Sequence, residues 1–359
     1  MNRKLLIVHC STLSASETFI RAHIDYLPFQ ISFVHQLPPK LVNISSYTPG
    51  AGHAVDALEE HTEEYEAIIE TCSPGLILAE YGPSAVAVLK ACKLKGVPLV
   101  AHFHGFDVSM TTVLERYSAG YKAVFEYASA LIAVSFAMKE RLISLGAPPE
   151  KINVVSYGVN LENFSVSSYP EQSSFLFLGR LVEKKAPLIL LEAFKEATRR
   201  HPHLTLNIAG DGPLLEDCKR FVDRNSLGAQ VHLLGAVPHH SVPQLLRETS
   251  ALILPSIRSP SGDEEGLPNC ILESMASGRP VISTRHSGIP EAVIDGETGI
   301  LVDEGNVDAL TKAIDLMASN LAQAKSMGIT GRKRAEQIFD QKASISNLAK
   351  VLKEQIHQL

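Results

Sequence analysis

The sequence predicts a doubly wound α/β protein made of two consecutive units, and three features of its 359 residues predict it. Short apolar runs alternate with longer helix-patterned stretches, the alternation occurs twice, and an aperiodic Ser-containing segment separates the two series. The first series is KLLIVHC, PGLILAEY, PLVAHFHG, ALIAVSF and INVVSYG, with amphipathic stretches such as SAVAVLKACKLKG between. The second is SSFLFLGR, LTLNIAGDG, QVHLLGAV, ALILPS, PVISTR and GILVDEG, with stretches such as PLILLEAFKEATRRH between. Each series reads as parallel strands joined by crossover helices. VNLENFSVSSYPEQSS lies between them and suits a linker at about residues 165–174, so residues 1–164 and 165–344 are expected to form two Rossmann-like units facing a central cleft. In SISNLAKVLKEQIHQL, Ile345, Leu348, Leu352 and Ile356 share one helical face. That apolar stripe must pack on something, and residues 345–359 are expected to cross back to the first unit.

A chain this long exceeds what one core usually serves, and its 45% hydrophobic and 20% charged residues suit a globular protein. The net charge of −6 argues against nonspecific nucleic-acid binding, which needs a concentration of Lys and Arg. Acidic residues outnumber basic ones within residues 1–164, which argues against strong docking to anionic lipid and leaves weak peripheral contact open. The first apolar stretch is too short for a secretory leader or a membrane span, so a cytoplasmic location is expected, with the inner membrane face as a variant. Cys10, Cys72, Cys92, Cys218 and Cys270 are scattered, odd in number and lack a C-x-x-C pair, so reduced packing residues are expected.

The most informative stretch is SGDEEGLPNCILESMASGRPVIS, in which seven residues separate Glu265 from Glu273. Gly266, Leu267 and Pro268 read as a turn, and NCILESMA as a helix start that carries Glu273 about two turns inside. Unpaired N–H groups at such a start attract anions, and the two carboxylates can then reach different parts of one elongated ligand.

With SGIPE and GETGILV following it, this stretch resembles the Glu-x7-Glu signature of family-4 glycosyltransferases of the GT-B fold. The resemblance runs through nearly the whole chain and is strongest from Phe175 to Val302. It implies a retaining, metal-independent transferase with no cofactor, which takes a hexose-type sugar from a nucleotide-diphosphate donor. UDP is preferred to GDP on family frequency, and a saccharide or lipid-linked saccharide is the expected acceptor. FLGRLVEKKAPLILLEAF resembles the segment that holds the donor diphosphate, with Arg180 and Lys185 as its cations. Ala186 stands where the family usually has Gly, and adjacent Lys184 competes for the second cation's role. IAGDGPL, with Gly212, resembles the next strand-to-turn segment. VHLLGAVPHHSV resembles the base-binding loop, where main-chain groups near Val237 and Pro238 would read the nucleobase. His239 and His240 lack the neighbours of a metal site and are expected to face solvent.

In VAHFHGFDVS, His102, His104 and Asp107 fall within six residues, a conceivable metal triad. The resemblance implies instead that His104 contacts the transferred sugar, with His102 as its alternative. Asp107 would be a second contact or the organiser of the loop. STLSASETFIRAHI carries Ser14 and Glu17 at capping-box spacing. SETFI also resembles the first loop of the branch containing colanic-acid and exopolysaccharide-type transferases, which would bring Ser16, Glu17 and Thr18 to the donor or acceptor.

Two other classes compete. A two-lobed binding protein without chemistry would share the architecture but not the Arg180, Lys185, Glu265 and Glu273 constellation. A GT-B-shaped sugar-nucleotide epimerase or phosphorylase would be an enzyme that does not transfer to an acceptor alcohol, and no lysine motif suggests pyridoxal phosphate. No G-x-G-x-x-G follows the first strand, which disfavours a dinucleotide enzyme.

Overall fold

The computed structural model describes residues 4–13, 17–42 and 61–356. The chain divides into two compact units, Met1–Tyr157 with Lys342–Leu359, and Gly158–Gln341.

The first unit is a seven-stranded sheet of β1 (Lys4–His9), β2 (Gln30–His35), β3 (Lys40–Val42), β4 (Leu76–Glu80), β5 (Leu99–Phe103), β6 (Ala130–Ala133) and β7 (Ile152–Val154). Its order is β3-β2-β1-β4-β5-β6-β7, and only the β2–β3 pair is antiparallel. Every residue of β4, β5 and β6 is buried, which explains their unbroken apolar spelling: strands covered on both faces have no solvent side to alternate with. β2 and β3 fall outside the apolar series. In β2 only Phe33 and Val34 are buried, so its sequence shows no run long enough to stand out.

The second unit holds β8 (Ser174–Leu178), β9 (Thr205–Ala209), β10 (Val231–Gly235), β11 (Ala251–Leu254), β12 (Val281–Thr284) and β13 (Gly299–Val302). They form one parallel sheet in the order β10-β9-β8-β11-β12-β13. The strand order reverses between β8 and β11, as it does between β1 and β4 in the first unit. Ligands of such sheets bind beyond the carboxyl ends of the strands flanking that point.

The division at Tyr157 lies seven residues before the one expected at Phe164. Val159 bridges to Asp340, and the Arg332 guanidinium bonds the Phe164 carbonyl, which ties this stretch to the second unit. The expected linker is also anchored there. Buried Arg279 donates from Nη2 to Ser167 Oγ at 2.8 Å and to the Ser168 carbonyl at 2.9 Å, and the Tyr169 hydroxyl donates to the Ser250 carbonyl.

The C-terminal helix Gln341–Ile356 belongs to the first unit from Lys342 onward. Its Ile345, Leu348, Ala349 and Leu352 share a core with Ile24, Leu27, Phe33 and Val155, and Ile356 packs at the edge. All five cysteines are free, four of them buried. No helix among the described residues is long and apolar enough to cross a membrane.

Candidate active site

In the second unit the sequence-predicted residues fall on the loops that follow β8, β9, β10 and β11. Because the strands are parallel, all four loops leave the same edge of the sheet. Arg180 follows β8 and is exposed. Gly212 follows β9, and a Cβ there would come within 2.6 Å of the Leu181 carbonyl oxygen. Two residues earlier the approach is closer, since a Cβ on Gly210 would stand 1.9 Å from the Gly179 carbonyl oxygen. The glycines of IAGDG thus let the β9 loop lie directly against the β8 loop. Val237 and Pro238 follow β10, where the Pro238 carbonyl is taken by the Ser241 amide and hydroxyl.

Lys185 and Glu265 form the centre of this edge. Lys185 Nζ lies 2.7 Å from Glu265 Oε1, with side-chain exposures of 14% and 9%. Burial would raise the Glu265 carboxyl, but the Lys185 ammonium, with Lys184 behind it, holds it down at about 2. The same charge raises Lys185 against the effect of burial. Lys184 is committed elsewhere, to Asp263 Oδ1 at 2.9 Å and the Glu264 carbonyl at 3.3 Å. The two adjacent lysines therefore have different carboxylate partners. Ala186 adopts the left-handed conformation (φ 47°, ψ 50°), so the turn before the helix Pro187–Thr198 has the geometry a glycine favours although alanine occupies it.

Gly266, Leu267 and Pro268 are buried and lead into the helix Asn269–Ala276, whose N-cap is Pro268. Glu273 is the fifth residue of that helix, a little over one turn inside rather than two. Its Oε1 meets His239 Nε2 at 2.7 Å. His239 thus corrects its expected solvent role: its side chain is 41% exposed, yet one ring nitrogen engages the second glutamate, and that hydrogen bond raises the imidazole's pKa.

His286 and Glu304 were missed by sequence reading. The Glu265 amide donates to His286 Nε2 at 3.1 Å, and an amide nitrogen can only donate. The imidazole therefore carries its hydrogen on Nδ1 and gives it to Glu304 Oε1 at 2.7 Å. The Ser287 hydroxyl holds the Glu265 carbonyl at 2.7 Å. Nothing in local spacing announces these supports, because His286 and Ser287 come from the end of β12 and Glu304 from the end of β13.

In the first unit the predicted residues lie at the carboxyl ends of β1 and β5. The Asp107 carboxylate accepts from the amides of Gly82, His104 and Gly105 at 3.0, 3.0 and 2.8 Å, which makes it the organiser of the loop. Burial raises its carboxyl and these three amides oppose the rise. His104 uses both ring nitrogens: Nε2 lies 2.9 Å from Glu80 Oε2, and Nδ1 lies 2.6 Å from the Tyr157 hydroxyl. Burial, then the neighbouring His102, lowers its pKa to about 3. His102 is the more deeply buried of the two, at 1% exposure against 7%.

Glu80, another residue sequence reading missed, is fully buried and also meets His23 Nδ1 at 2.7 Å. Burial would raise its carboxyl, but His23 and the surrounding hydrogen bonds hold it well below the usual range. Glu17 occupies the N-cap of the helix Thr18–Tyr26, so it is not three residues inside as the capping-box reading required. Its Oε1 accepts from the Tyr81 hydroxyl at 2.9 Å. Ser14 and Ser16 lie outside the described residues. Tyr81 itself holds φ 72° at the N-cap of the helix Gly82–Lys95, a strained position for a non-glycine residue at the strand-order reversal.

A model described as "Glycosyltransferase Family 4" matches residues 29–163, and one described as "Glycosyl transferases group 1" matches residues 160–334. WcaL of Salmonella typhimurium, a candidate colanic acid biosynthesis glycosyltransferase, is 32% identical over 284 residues, 77% of this chain and 70% of WcaL. The chain belongs to the family-4 glycosyltransferases. Among relatives of this glycosyltransferase, the amylovoran biosynthesis enzyme AmsK of Erwinia amylovora is 30% identical over 282 residues, 77% of this chain and 69% of AmsK. HepE of Anabaena, crystallised with UDP and glucose, shares the fold with a TM-score of 0.78 at 18% identity, covering 98% of this chain and 100% of its own. The fold of the glycosyltransferase is thus GT-B, with one Rossmann-like sheet in each unit.

Proposed function

We propose that this glycosyltransferase moves a hexose-type sugar from a nucleotide-diphosphate donor, UDP-linked by preference, to an acceptor hydroxyl with retention of configuration and without a metal ion. The observation that carries this reading is the part-buried Lys185–Glu265 pair at the carboxyl edge of the second sheet, 2.7 Å apart beside the turn into the helix Asn269–Ala276. An ammonium held there is placed to share its charge between a carboxylate and a departing diphosphate, with exposed Arg180 as second cation. Charge on the leaving group is then countered by protein cations and helix-start amides, the task a metal would otherwise perform. Glu265 accepts from hydroxyls of the donor sugar, and Glu273, steadied by His239, accepts from the ribose. Main-chain groups of Val237 and Pro238 meet the base.

In the first unit, a sugar hydroxyl takes the place of the Tyr157 hydroxyl on His104 Nδ1, while Glu80 keeps Nε2 in place. Glu17 and Thr18 at the first loop serve the donor or acceptor. The acceptor hydroxyl attacks the anomeric carbon on the face the diphosphate leaves, its proton passes to a phosphate oxygen, and neither glutamate becomes a nucleophile. UDP is favoured by the likeness to HepE, crystallised with UDP and glucose. Assembly of an exopolysaccharide on a saccharide or lipid-linked acceptor, at the cytoplasmic face of the membrane, is favoured by the likeness to WcaL and AmsK.

The test is to incubate the chelator-treated protein with UDP- and GDP-sugars and oligosaccharide acceptors, and to read the product's anomeric configuration by NMR. An α-linked product from an α-linked donor supports the proposal. An inverted product sinks retention, and transfer that needs added Mg2+ or Mn2+ while the melting midpoint stays unchanged sinks metal independence.

A further inference from the structure

We propose that His23, Glu80 and His102 form a site for one divalent transition-metal ion inside the first unit, directly behind His104. One ligand atom from each residue lies within 4.8 Å of the other two, and all three side chains are buried. Three elements bring them together. Glu80 ends β4, His102 is its Cα partner on β5, and His23 comes from the helix Thr18–Tyr26.

The donor set suits the ion. Two imidazoles and a carboxylate are a recurrent zinc-binding set. Ligand atoms about 2.0–2.1 Å from a tetrahedral ion stand about 3.3 Å apart. His102 Nδ1 lies 3.3 Å from Glu80 Oε2 and His23 Nδ1 lies 2.7 Å from the other oxygen, Oε1, so the carboxylate faces both imidazoles and the shorter contact would open slightly on loading.

A second observation points to an occupant. Neither ring nitrogen of His102 has a hydrogen-bond partner, although the residue is only 1% exposed. Its Nδ1 is near Glu80 but misaligned for a hydrogen bond. A buried imidazole whose one polar neighbour, Glu80 Oε2 at 3.3 Å, is badly aligned is costly, and an ion that takes its lone pair removes the cost. The outer shell suits this reading, since His104 Nε2 donates to Glu80 Oε2 at 2.9 Å and is itself held by Tyr157.

Zinc is the probe. Full-length protein is stripped with a chelator, titrated with Zn2+, desalted, and measured for metal content and melting temperature. One zinc per chain is expected. In a parallel melt with free zinc held at about a hundred times the dissociation constant, the midpoint should rise by about 5–10 °C. His102→Gln and Glu80→Gln should each lose the bound ion, while a His239→Ala, His240→Ala double variant keeps it. Cobalt in the wild-type protein should give the intense visible bands of a low-symmetry site, which decides the matter if a variant fails to fold. Substoichiometric zinc with an unchanged midpoint overturns the proposal and leaves a hydrogen-bonded cage. So does zinc retained by folded His102→Gln, or cobalt bands no stronger than those of the hydrated ion.

Discussion

Lys185 Nζ and Glu265 Oε1 meet at 2.7 Å although 80 residues separate them in the chain. Breaking a buried pair from one side leaves an uncompensated charge, which for groups this sheltered costs about 2–4 kcal/mol. Lys185→Ala and Glu265→Gln should each lower the melting midpoint and reduce transfer by more than about a hundredfold. The double variant should lose less stability than the two singles added together. Full additivity in chemical denaturation would show that the pair is not coupled.

The same pair sets an acid limit. Glu265 has a folded-state pKa of about 2 against an ordinary value of 4.5. Its contribution is therefore fully present above the unfolded value and is lost as pH falls from about 4.5 towards 2. Wild-type stability should drop across that window, and Glu265→Gln should flatten the drop.

His239 works in the opposite sense. Its pKa is raised by the hydrogen bond to Glu273, so the charged pair is present at low pH and is lost as pH rises through the raised value. If Glu273 accepts from the donor ribose as proposed, nucleotide affinity should weaken as pH rises beyond the ordinary imidazole value of 6.5. Isothermal titration on His239→Ala should show that slope removed, while Glu273→Gln should weaken binding about tenfold at every pH.

Gly210→Ala should fail to fold or lose more than about 3 kcal/mol, because backbone rather than a movable side chain stands 1.9 Å from the new methyl. Gly228→Ala, with nothing within 4 Å of its added carbon, should stay within about 0.5 kcal/mol of wild type. Thermal melts of the two variants, side by side, provide the comparison.

Arg279 is 1% exposed, and its guanidinium donates to the carbonyls of Leu246, Arg247 and Ser168. Replacing it with Met would strand those acceptors at about 1–3 kcal/mol each where they stay dry. A fall of several degrees in the melting midpoint, without a change in nucleotide affinity at permissive temperature, is expected.

Local order was legible in the amino-acid sequence by itself. Runs such as ALIL and LVAHF declare strands buried on both faces, and the glycines of IAGDG mark where backbone meets backbone. The Glu265–Glu273 spacing set one carboxylate before a helix start and the other within it. These features depend on neighbours a few residues apart, which composition and spacing record. Only the tertiary structure decided that Lys185 rather than Lys184 faces Glu265, that His286 and Glu304 brace its amide, that Glu273 has His239 as partner, and that Glu80 gathers His23, His102 and His104. Each of those pairings joins separate strands, loops or helices at the carboxyl edge of a sheet. The register of that sheet determines which side chains converge, and register is a property of strands packed together, which no single stretch of sequence spells out.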